Sequence, residues 1–66
     1  MSDDTEGKLP VYACDRSEWS VDDKPCGFAA SKREAAKLIR QELGDSDYGA
    51  SDVFYSPSLN AYFTDE

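Results

Sequence analysis

The chain has 66 residues and a mass of 7.3 kDa, enough for one domain with a small core. Fourteen acids against seven bases leave a net charge of −7, and there is no histidine. That balance argues against direct contact with a nucleic-acid backbone. It also removes the commonest general base and metal ligand. No apolar run approaches the ~18 residues of a membrane span.

Residues 1–8 read as a flexible acidic tail, and residues 9–66 as a single domain. The start is polar, with no secretory leader, so a cytoplasmic location is expected, in the host cytoplasm if the chain is phage-encoded. Leu, Ile, Val and Phe supply only 11 of the 66 residues, below the roughly 20% that accompanies disorder in highly charged chains. Four tyrosines and a tryptophan offset this with large buriable rings.

Leu9–Asp15 predicts a strand, with Pro10 at a first or edge position. Arg16–Lys24 is polar, and reads as a long loop or a short extra strand. Asp22-Asp23-Lys24-Pro25 is turn chemistry, and Cys26–Ala30 reads as a returning antiparallel strand. A register that places Cys14 opposite Cys26 also sets Tyr12 against Phe28. A disulfide is then geometrically open, but two free, packed thiols fit a reducing compartment better.

Ser31 with Glu34 forms a capping box for a helix over Lys32–Leu43. Its apolar stripe is Ala35, Ala36, Leu38, Ile39 and Leu43, and Gly44 is the expected terminator. Asp45–Ser51 reads as a loop. Asp52–Ser56 and Ala61–Thr64 read as a hairpin around Pro57-Ser58-Leu59. Pairing Ser56 with Asn60 sets Phe54 against Tyr62. Val53, Tyr55, Ala61 and Phe63 then face the core, leaving Phe54 and Tyr62 exposed side by side. The expected fold is α+β in the order β-β-α-β-β, a small antiparallel sheet with one amphipathic helix packed on a face.

Eight serines and two cysteines have no histidine to activate them, so no enzyme activity is expected. Asp45, Asp47 and Asp52 hint at a calcium loop, but Gly49 falls one position early, so neither a metal nor a cofactor is expected. Charge is the more informative feature. Residues 44–66 carry five acids and no base, interleaved with aromatics. Asp45, Asp47, Tyr48, Asp52, Phe54 and Tyr62 are therefore the candidate partner-binding set, matched to a basic protein surface. The alternative set is Arg33, Lys37 and Arg40, a basic stripe on the polar helix face.

In size, in the strand around Val11–Cys14, in the run from Phe28 through Ser31-Lys-Arg-Glu into the helix, and in a strand after Gly44, the plan resembles small phage-encoded inhibitors. These include RNA polymerase inhibitors of T7-like phages and small anti-CRISPR proteins. The resemblance implies an acidic, nucleic-acid-mimicking inhibitor from a phage or mobile element. Such a protein would block a basic surface, including one that holds nucleic acid, on a larger host protein or complex. The alternative is an accessory or immunity-type module that stabilises one cognate partner. Neither reading calls for a membrane, a small-molecule substrate or direct nucleic-acid contact.

Overall fold

A computed structural model describes residues 7–66. The tail expected over residues 1–8 lies outside the described residues except for Gly7 and Lys8, both exposed. The elements are β1 (Leu9–Val11), β2 (Gly27–Ala29), α1 (Lys32–Leu43), β3 (Phe54–Ser56) and β4 (Ala61–Phe63), with 3₁₀ turns at Arg16–Glu18 and Ala50–Asp52. The fold is α+β in the expected order, a four-stranded sheet with one helix on it. Strand order is β2-β1-β4-β3. Two antiparallel hairpins meet at a parallel seam, where Val11 pairs with Tyr62.

β1 is interior, so Pro10 does not sit at an edge. The amide of Tyr12 donates to the Tyr62 carbonyl at 2.8 Å, so Tyr12 and, two residues earlier, Pro10 turn their backbone toward β4. The donor that proline lacks falls where β4 has barely begun, and no ladder bond is lost. β1 is also shorter than the apolar run over Leu9–Asp15. Beyond Val11 the chain bends and switches partner. The Thr64 amide donates to the Cys14 carbonyl at 3.0 Å, and the Arg16 amide to the Asp65 carbonyl at 2.8 Å. β2 starts after Cys26, whose amide donates to the Val11 carbonyl at 2.8 Å. Between the strands, Ser20 and Asp23 close a turn through both backbone and side chain, and no extra strand forms.

The first hairpin is offset by two residues from the expected register. Pro10 pairs with Phe28 and Val11 with Gly27. Cys14 and Cys26 therefore do not face each other as a pair, and both are free thiols. Tyr12 stacks on Phe63, with ring centroids 5.2 Å apart, instead of meeting Phe28, which is 42% exposed.

The second hairpin is offset by one. Ser56 pairs with Ala61, Tyr55 with Tyr62, and Phe54 with Phe63. The cause lies in the turn. Asn60 adopts a left-handed φ of 54°, which asparagine tolerates, and so belongs to the loop and not to the strand. Tyr55 fastens it by donating its hydroxyl to the Asn60 Oδ1 at 2.8 Å. A one-residue slip exchanges the faces of a strand. Tyr62 turns into the core beneath the helix with Val11, Ala29, Ala35, Ala36, Ile39 and Val53. Phe63 is buried on the opposite face.

The helix matches its expected limits. The Ser31 hydroxyl accepts the Glu34 amide, the Glu34 carboxylate reaches back to the Ala30 amide at 3.0 Å, and Gly44 (φ 71°) ends the helix. Ala35, Ala36 and Ile39 are buried, whereas Leu43, expected within the stripe, is 52% exposed. Twelve helical residues span about 18 Å, and three-residue strands only about 10 Å, so the last turn overhangs the sheet. Midway along, the helix lies close over β2: a Cβ on Gly27 would stand 2.8 Å from Leu38 Cδ1. Gly27→Ala is expected to be mild, because the half-buried Leu38 tip can rotate away. Gly27→Val should cost roughly 1–3 kcal/mol by lifting the helix. Thermal melts of the two variants check this, and equal midpoints would show that the contact is slack.

Candidate functional site: an acidic depression beside the sheet

Four of the predicted residues come together. Asp45, Asp47, Tyr48 and Asp52 line an open depression of about 520 Å³, completed by Ser51, Thr64 and Asp65. The local sequence explains the wall. After the Gly44 stop, the Asp45 carboxylate accepts the Asp47 amide at 3.0 Å in an Asx turn. Asp52 closes the Ala50–Asp52 turn by accepting the Gly49 amide at 3.0 Å. The floor is the end of the central sheet, where Thr64 Oγ1 donates to Asp15 Oδ1 at 2.7 Å.

Tyr48 is the strut of this arrangement rather than an exposed anchor. Its ring packs against the core cluster. Its hydroxyl lies 2.9 Å from both the Asp52 and Thr64 carbonyls, sharing one proton between loop and strand. Arg40 holds the same residue from the helix side, donating to the Tyr48 carbonyl at 3.3 Å. Burial first, then the charges of Asp52, Asp65 and Asp15, push the Tyr48 phenol up from 10 to about 12. The folded state therefore keeps this proton where the unfolded chain has lost it. The contribution is intact below pH 10 and is lost as pH climbs toward 12. Tyr48→Phe is expected to lower stability near neutrality by about 1 kcal/mol and to flatten the loss on the alkaline side. Urea titrations of both proteins across that range check it; parallel alkaline limbs would place the phenol in solvent.

The other two predicted residues lie elsewhere. Tyr62 is 7% exposed, so the one-residue slip removes it from the surface. Phe54 is half-buried opposite Phe63 and does not stand beside Tyr62. Thr64, Asp65 and Ser51 complete the site without having been singled out from the sequence. The available signal was that every charged residue after Gly44 is an acid, Asp65 included. Among the described residues no group of three or more His, Cys, Asp or Glu is arranged to hold a metal ion.

Arg33, Lys37 and Arg40 share a second open depression of about 340 Å³ with Ser31 and Glu34. Arg40 is half-buried, and part of its guanidinium is committed to Tyr48. A third depression, of about 450 Å³, contains both thiols, along with Tyr12, Asp23, Pro25 and Glu42. Burial, followed by Asp23 for Cys14 and Glu42 for Cys26, pushes both thiols up, which slows their reactions as nucleophiles. Comparison with protein-family models, curated proteins and solved structures finds no match.

Proposed function

We propose that the protein is a small, non-enzymatic binding protein of the phage or mobile-element inhibitor type. Its acidic depression engages a basic surface of a larger protein or complex, one that ordinarily holds nucleic acid included. The observation that carries this reading is how the carboxylates are held. Asp45, Asp52, Asp65 and Asp15 all accept hydrogen bonds from neutral donors among the described residues. They are positioned by uncharged partners, on a frame fastened by Tyr48. Fixed charges of one sign in a concavity focus the field and speed encounter with the opposite sign. Phe54, two residues beyond Asp52, remains to add apolar contact. Two thiols kept protonated suit a cytoplasmic setting.

The test is capture by the tagged chain from host lysate, followed by binding kinetics on the recovered partner. Asp45→Lys/Asp47→Lys/Asp65→Lys is expected to slow association about ten-fold or more and to reverse its salt dependence. Arg33→Glu/Lys37→Glu should leave binding largely intact. If the helix variant abolishes binding while the aspartate variant is silent, the orientation is wrong.

A further inference from the structure

The helix face that carries Arg33 and Lys37 is exposed, and among the described residues no strand or helix covers these two side chains. The geometry points to a second copy of this chain as its occupant, with the basic helix face of each copy seated in the acidic depression of the other.

The argument begins with adjacency. Arg40 lines the basic depression, Tyr48 lines the acidic one, and the two residues are hydrogen-bonded at 3.3 Å. Two patches of opposite sign thus share a border. Arg33 lies about 10 Å along the helix from that border, at 1.5 Å per residue. A two-fold axis through the border lays plus on minus twice, and two-fold interfaces are self-complementary in this way. The available groups match. Arg33 and Lys37 project from the exposed side of the helix, while Asp47 and Asp65 project from the exposed rim of the depression.

The net charge of −7 per copy works against the pairing at long range. Its reach is set by the Debye length, roughly 30 Å at 0.01 M salt and 8 Å at 0.15 M, whereas the patches meet at contact. The association should therefore be strongest at intermediate ionic strength. Below that range whole-molecule repulsion wins, and above it the patch attraction is screened. This self-association does not rest on the proposed external partner. It would compete with that partner for the same carboxylates.

Sedimentation velocity on the full chain at millimolar concentration, across a salt series, tests it. A dimer whose fraction passes through a maximum is expected. Arg33→Glu/Lys37→Glu alone and Asp47→Lys/Asp65→Lys alone should each be monomeric. An equimolar mixture of the two should recover a heterodimer, because every contact is then opposite in sign again. Recovery in the mixture also shows that both variants are folded. A wild-type chain that stays monomeric at every salt concentration overturns the inference. So does a variant that dimerises alone, or a mixture that does not recover.

Discussion

Phe63→Ala is expected to leave little folded protein in the absence of stabilising solutes. Phe63 is fully buried in β4, an interior strand. Tyr12 stacks on it at 5.2 Å, Trp19 meets it edge-on at 6.0 Å, and the Arg16 guanidinium lies 6.0 Å from its ring. These groups form the cover of the sheet face away from the helix. Trp19 remains there although its indole N–H is buried without an acceptor among the described residues. An unmade hydrogen bond costs about 1–3 kcal/mol, less than the roughly 4 kcal/mol from burying an indole. Removing Phe63 takes away the surface that Tyr12, Trp19 and Arg16 pack against. Phe→Ala in a core costs about 3–5 kcal/mol. A domain of this length has only roughly 3–10 kcal/mol in total. Urea unfolding followed by fluorescence of the single tryptophan measures the loss. A midpoint within experimental scatter of the parent would mean that this face is solvated.

The second large effect separates two neighbours on the helix. Ile39 is fully buried against Val11, Ala29 and Tyr62, whereas Leu38 is half-buried over Gly27. Consecutive helical residues point about 100° apart. Ile39→Ala should therefore cost about 2–5 kcal/mol, and Leu38→Ala roughly half as much, because half its surface already faces water. Chemical denaturation of the pair reads the difference directly. Equal losses would mean that the helix is rotated from the orientation described here.

Local signals carried most of the architecture. The helix was legible to the residue, because its cap, its period and its terminating glycine are all encoded within a few positions of one another. Both hairpins were legible as elements but not in register. For the second, the deciding quantity was the backbone of Asn60, which is compatible with either turn or strand until Tyr55 fastens it. That single choice moved Tyr62 from the expected interface into the core. In the first hairpin, the partner switch after Val11 depends on Thr64 and Asp65, some fifty residues away, and no local pattern announces it. The same distance explains the site. Asp45, Asp47 and Asp52 were readable as one loop, whereas Thr64 and Asp65 join them only because β4 inserts beside β1.

That insertion also sets the order in which the molecule can be made. β1 is among the first elements of the chain and β4 is the last, yet they are neighbours at the centre of the sheet. A growing chain that has emerged only as far as β3 holds two strands and a helix on one side and an unpaired strand on the other, with Val11 facing an empty slot. Contacts this distant in sequence form late, because the whole intervening loop must close first. Assembly of the core therefore waits until residues 61–65 are clear of the ribosome. The domain folds as one event once that segment has emerged, and a ribosome stalled before Ala61 would display an open, protease-sensitive chain.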